Sequence, residues 1–77
     1  MALVRYFAAA EELAGRAQEQ RGETTLDALR AAITTEHPGL ASILDRCAVL
    51  VDGVRTDGDA PLAGDVRVDV LPPFAGG

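Results

Sequence analysis

The sequence predicts a small α+β domain in which one amphipathic helix lies across one face of a mixed sheet. Three observations carry this. Thr24–Glu36 sets Leu26, Leu29 and Ile33 at i, i+3 and i+7, with Ala32 beside them, which is the spacing of a single apolar helical stripe. Val66–Leu71 alternates, with Val66, Val68 and Val70 on one side and Arg67, Asp69 and Leu71 on the other. Asp52-Gly53 stands between two apolar runs, the strongest short signal for a two-residue hairpin. A single helical stripe can cover only one sheet face, so the other face is expected to meet solvent or a partner.

Each element follows in order. Ala2–Phe7 reads as a strand, with Val4 and Tyr6 on one face and Leu3, Arg5 and Phe7 on the other. Ala8–Ala14 is a run of strong helix formers that Gly15 stops. The polar run Arg16–Arg21 is expected as an exposed edge strand. Thr24 or Thr25 caps the main helix, and Asp27 complements the helix dipole in its first turn. Pro38-Gly39 ends that helix, and Leu40–Arg46 forms a second short helical piece. Ala48–Val51 is a strand, Val54–Thr56 begins its return, and Asp57–Asp65 is turn-rich. Pro72-Pro73 closes the last strand, because proline has no N–H to donate to a ladder. The expected core is Val4, Leu26, Leu29, Ile33, Val49, Val51, Val66, Val68 and Val70. The long helical connection between the second and third strands is compatible with parallel pairing of the first and last.

A chain of 77 residues is expected to form one domain, here residues 1–71, followed by a flexible tail at 72–77. A domain this small buries only roughly 60% of the surface its unfolded chain exposes, yet a hydrophobic content of 48% still supports a core. One cysteine excludes a disulfide framework and a cysteine-cluster metal site, and no metal site is expected. A net charge of −5 is the wrong sign for a non-specific nucleic-acid binder. No apolar run approaches the ~20 residues of a membrane span. Arg5 interrupts the apolar stretch at 2–10, so a signal peptide is not expected and a cytoplasmic location is. All seven basic residues are arginine, which removes lysine chemistry such as Schiff bases and P-loops. Ser42, Cys47 and His37 are the only residues of their kinds, a poor stock for an autonomous enzyme.

The individual candidates among these are weak. Cys47 begins a strand and suits a small buried apolar role better than a sulfur relay. His37, in His-Pro-Gly, suits a helix end, with no paired group at usable spacing for catalysis. Ser42 lacks the glycines of a nucleophile elbow. Asp57-Gly58-Asp59 lacks the terminal glutamate of a calcium loop and reads as turn chemistry.

The chain end is more telling. From Pro72 onward the tail reaches roughly 20 Å if extended, and Gly76-Gly77 brings no side chains, so a terminal carboxylate could enter a narrow cleft. Many chains also end in glycines that do nothing. The tail LPPFAGG, the opening VRYFAAAEELAG and the segment APLAGDVRV together resemble the MoaD/ThiS sulfur carriers, most of all the small subunit of molybdopterin synthase. The resemblance covers the whole chain, and the tail is its most specific part. Phe74 stands where that pattern commonly has a small aliphatic residue, and Leu71 where an aromatic is often found.

The resemblance implies a ubiquitin-like β-grasp fold and a protein cosubstrate with no bound cofactor. Gly77 would be adenylated by an ATP-using, E1-like activating enzyme. A sulfur donor would then convert the acyl-adenylate to a thiocarboxylate. Phe74, Ala75 and Gly76 would insert into the large subunit of molybdopterin synthase, which would supply the bases and the pocket for the pterin precursor. Phe7 and Leu71, flanked by Arg5 and Arg67, would form the partner-binding surface on the open sheet face. Two other readings stay open: a related carrier for thiazole, cysteine or tRNA thiolation or a ubiquitin-like modifier, and a ubiquitin-like binding module with an inert tail.

Overall fold

The alternation read from the sequence becomes a five-stranded sheet in the order β2-β1-β5-β3-β4. The computed structural model describes residues 1–73, and Phe74, Ala75, Gly76 and Gly77 lie outside the described residues. The strands are β1 (Ala2–Tyr6), β2 (Gln18–Arg21), β3 (Ala48–Val51), β4 (Val54–Arg55) and β5 (Arg67–Leu71). The α-helices are α1 (Ala9–Ala14) and α2 (Leu26–Glu36). β1 runs antiparallel to β2 and parallel to β5, and β3 pairs antiparallel with both β5 and β4.

The register assembles the core. Val4 lies opposite Val68 and Tyr6 opposite Val70, while across β5 Val70 meets Val49 and Val68 meets Val51. These side chains share the face that α2 covers with Leu26, Leu29 and Ile33, each at most 1% exposed. Leu40, Leu44, Cys47 and Leu62 join the same cluster. Val51 and Val66, expected in the core, are only partly buried at its margin. Val66 also precedes β5 rather than starting it.

Several boundaries move for local reasons. α2 starts at Leu26 because Thr25 is its cap, with Oγ1 accepting from the Ala28 amide at 3.2 Å. Residues 40–46 form two 3-10 turns, Pro38–Ser42 and Leu44–Arg46, in place of one helical piece. A sharp turn separates β1 from α1. Ala8 there has φ 51° and ψ −125°, and the Ala10 amide donates to the Phe7 carbonyl at 3.0 Å, the geometry of a II′ turn with a non-glycine residue at its first central position. The β3–β4 hairpin has the expected signature, with positive φ at both Asp52 (48°) and Gly53 (83°).

The turn-rich loop is a clasp on α2. Asp59 Oδ1 accepts from the Asp27 amide at 2.8 Å, and Arg30 donates to the carbonyls of Thr56, Asp57 and Gly58 at 3.0–3.3 Å. Asp59 is thus spent on helix capping and its own turn, while Asp57 Oδ1 accepts from Arg55 Nε at 3.2 Å.

Candidate functional site

The parallel β1–β5 pair builds the open face of the sheet. Leu3 and Arg5 of β1 share it with Arg67, Asp69 and Leu71 of β5, and with Ala48 and Leu50 of β3 by register. Phe7 follows β1, and its amide donates to the Val70 carbonyl at 3.2 Å, continuing the register toward Leu71. Phe7 and Leu71 are therefore neighbours on this face, both half-buried. The four residues expected to bind a partner, Phe7, Leu71, Arg5 and Arg67, are brought together.

Asp69 is the unexpected member. Alternation points it outward, yet it is only 4% exposed, the one buried charged residue among those described. Arg5 grips it with two bonds, Nε to Oδ1 at 2.7 Å and Nη2 to Oδ2 at 3.0 Å. Arg67 Nε lies 3.3 Å from the same Oδ2. The hydrogen bonds from Arg5, reinforced by both positive charges, hold the Asp69 carboxyl below the usual carboxylate range against the opposing effect of burial. The Arg5 guanidinium also stands 5.2 Å from the Phe7 ring centroid, within cation–π range. One carboxylate thus fixes two arginines, and one of them props the aromatic ring.

β5 ends beside this face. Leu71 closes β5 opposite Ala48, Pro72 is buried and Pro73 is exposed. The tail residues Phe74, Ala75, Gly76 and Gly77, expected to carry and insert the reactive group, lie outside the described residues.

A second polar cluster was not legible in the sequence. Glu19 of β2 faces the helix side, where its Oε2 accepts from the Tyr6 hydroxyl at 2.5 Å and meets His37 Nε2 at 2.8 Å. Arg21 and Arg16 approach Oε1 at 3.4 and 3.6 Å. Burial pushes the Glu19 carboxyl up, but the hydrogen bonds from Tyr6, His37 and Arg21 together hold it below its ordinary value. Burial and the bond to Glu19 push the Tyr6 hydroxyl well up. His37 is thus a helix end that also pins the edge strand. No local sequence signal marks this cluster, because β2 is polar throughout and only its register opposite Val4 turns Glu19 to the helix side.

The remaining nucleophiles are occupied. Cys47 Sγ donates to the Ile43 carbonyl at 3.3 Å, and burial, the largest effect, pushes its thiol up. The Ser42 hydroxyl donates to the Gly39 carbonyl at 2.9 Å. Among the described residues no three His, Cys, Asp or Glu side chains are placed to hold a metal ion, and no helix is long and apolar enough to cross a membrane. What the described residues offer is an open sheet face at the end of β5.

Comparison with known proteins bears on the family and the fold. The ThiS family model matches residues 4–77. No curated protein matches the chain at a significant level. Among solved structures, the small archaeal modifier protein 1 from Methanosarcina acetivorans superposes with a TM-score of 0.86 at 19% identity, covering 99% of this chain and 95% of that one. A putative molybdopterin converting factor subunit 1 from Pyrococcus furiosus gives 0.77 at 24% identity, covering 95% and 97%. At these identities both likenesses establish the fold, a ubiquitin-like β-grasp. A chain in the complex of subunits 1 and 2 of molybdopterin-converting factor from Helicobacter pylori gives 0.76 at 28% identity, covering 99% and 97%.

Proposed function

We propose that this chain, which belongs to the ThiS family, is a sulfur carrier that donates sulfur from a C-terminal thiocarboxylate at Gly77 in molybdopterin synthesis. The observation that carries the reading is the root of the tail. β5 runs into Leu71-Pro72-Pro73 beside Phe7, so an open apolar face and the chain end are offered to one partner together. The Helicobacter pylori structure, a complex of subunits 1 and 2 of molybdopterin-converting factor, supports a large subunit as that partner.

The chemistry needs little from this chain beyond its end. A carboxylate is a poor acyl donor, because its negative charge repels nucleophiles and oxide is a poor leaving group. An ATP-using activating enzyme would transfer AMP to the Gly77 carboxylate with release of pyrophosphate. A cysteine-derived persulfide would attack the acyl carbon and expel AMP. A second thiol would then cleave the S–S bond and leave –C(O)S⁻. In the large subunit, that sulfur would displace an oxygen leaving group of the pterin precursor, and water would then cleave the resulting thioester, leaving sulfur on the precursor and returning Gly77 as a carboxylate. Phe7, Leu71, Arg5 and Arg67 would dock the carrier, and Phe74, Ala75 and Gly76 would thread the cleft. The occupied states of Ser42 and Cys47 suit this division, in which catalytic groups come from partners.

The test is mass spectrometry of the full chain after incubation with ATP, an activating enzyme and a sulfur donor, followed by product formation with the large subunit. The parent chain should gain the mass difference between sulfur and oxygen. Deleting Gly77 pulls the acyl carbon back by roughly 3.5 Å, and misplacement by even 1 Å costs on the order of a hundredfold in rate. Gly76→Val should fail by filling the channel with a β-branched side chain. Sulfur transfer at the parent rate by the chain lacking Gly77 would leave an inert-tailed binding module as the better reading. An amide-linked adduct in place of a thiocarboxylate would point to a modifier.

A further inference from the structure

We propose that the open sheet face is built for a protein surface that brings its own carboxylate to Arg67, so that docking is read by charge as well as by apolar fit. The inference rests on the carrier reading for the partner's identity and adds the chemistry by which that partner is recognised.

The argument starts from the charge count on the face. By register Arg55 lies opposite Leu50 and is paired with Asp57 at 3.2 Å, so the charges left on the face are Arg5, Arg67 and Asp69, two positive against one negative, in a chain whose net charge is −5. The face is therefore a basic spot on an acidic protein. Asp69 is consumed from inside the molecule, since it is buried and accepts both bonds from Arg5 and the approach of Arg67 Nε. It cannot turn outward to serve a partner.

The arginines are not fully used. Arg5 spends Nε and Nη2 on Asp69, and the Arg67 contact uses Nε alone. Among the described residues, neither Nη of Arg67 meets a protein acceptor, and that side chain is 47% exposed against 37% for Arg5. The two Nη groups of a guanidinium form a fork that matches the two oxygens of a carboxylate. Contact with Asp69 fixes the base of that fork before any partner arrives.

Desolvation then decides which partner fits. Leu3, Leu50, Phe7 and Leu71 surround the triad by register, so a partner that covers the apolar residues also strips water from the arginines. Covering one unbalanced positive charge without a counter-charge is costly. A purely apolar partner is thereby rejected, and one carboxylate neutralises the face. Phosphate of a nucleic acid could bind the same fork, but the acidic remainder of the chain repels a polyanion. A second copy has acids to offer, and the test separates it.

The experiment is calorimetric titration of the full chain into the large subunit at low and high salt. Three chains are compared, the parent, Arg67→Met and the distant control Arg46→Met, each checked for folding by circular dichroism. Arg67→Met should weaken binding about tenfold at low salt and flatten its salt dependence, while Arg46→Met changes neither. Binding by Arg67→Met that equals or exceeds the parent's would overturn the proposal, because an apolar partner gains when a desolvated charge is removed. Self-association of the chain alone, lost in Arg67→Met, would assign the face to a second copy and also overturn it. So would tight binding of a single-stranded oligonucleotide that depends on Arg67. If the parent chain fails to bind the large subunit at all, the carrier reading fails too, and that is seen before any variant is compared.

Discussion

Replacing Glu19 with Ala removes the carboxylate on which two strands and the end of α2 converge. The loss can be apportioned from the geometry. Arg21 keeps Glu23 at 2.9 and 3.0 Å and Glu36 at 2.6 and 2.8 Å, so it loses little. Arg16 is more than half exposed and its contact is long, which makes that pair worth little. His37 retains some contact with water, its side chain being 13% exposed. Tyr6 does not, because it is 2% exposed and its hydroxyl donates to Glu19. An orphaned buried donor costs about 1–3 kcal/mol, so Glu19→Ala should destabilise by about 2 kcal/mol, chiefly through Tyr6. Tyr6→Phe removes the orphan. The double variant should therefore be more stable than the sum of the single effects allows, by about 1 kcal/mol or more. Urea denaturation followed by circular dichroism measures all four corners of the cycle. The pH dependence has a defined sign. The folded Glu19 carboxyl lies below its ordinary value, so its contribution is complete above the unfolded value of about 4.3 and is lost as pH falls through the folded one. The gap between the parent and Glu19→Ala should thus narrow as pH falls through that window, leaving the part that the neutral acid keeps by still accepting from Tyr6. Additive single effects, or a gap that stays constant into acid, would refute the assignment.

Two further predictions concern the scaffold. Leu29, 1% exposed beneath the sheet, should cost about 2–5 kcal/mol when replaced by Ala, a large share of a small domain's stability, measured by the same denaturation. Ala8→Gly should instead stabilise, because relief of the positive φ, about 1–3 kcal/mol, exceeds the added unfolded-state entropy of glycine, about 0.5–1 kcal/mol; a lower urea midpoint for the variant would contradict this.

The parts of the fold legible in the sequence were those set by neighbours along the chain. The stripe of Leu26, Leu29 and Ile33, the Asp52-Gly53 turn and the alternation of β5 each state their structure within a few residues. The parts that escaped depend on pairing across distance. Arg5 and Asp69 are 64 positions apart, and Tyr6 and Glu19 belong to strands whose register no local signal fixes. Asp69 in particular reads as solvated by alternation, and only the parallel register that sets it opposite Arg5 explains its burial. Ala8 is a similar case: an alanine gives no warning of a turn that favours glycine. The outward placement of Phe7 and Leu71 was legible because alternation fixes a face even where pairing is unknown. The chemistry of the tail was legible only through resemblance, since two glycines carry no side chain from which to argue.

The topology also bears on the proposed transfer of a group from the chain end. β5 is the central strand, hydrogen-bonded on both sides, to β1 and to β3. Its side chains Val68 and Val70 are each 1% exposed, so local opening of β5 requires breaking two ladders and the core together. Strands at the margin, such as the two-residue β4, open with far less loss. On the proposed reading, a group carried from the root of β5 would start from the best-anchored backbone among the described residues. An acyl carbon that must reach a partner's catalytic groups benefits from a fixed origin, because rate falls steeply with misplacement. The same two pairings place Arg5, Arg67, Phe7 and Leu71 around that origin. On the proposed reading, a partner that docks on this face would also fix the position of Leu71 and Pro72, where the described part of β5 ends.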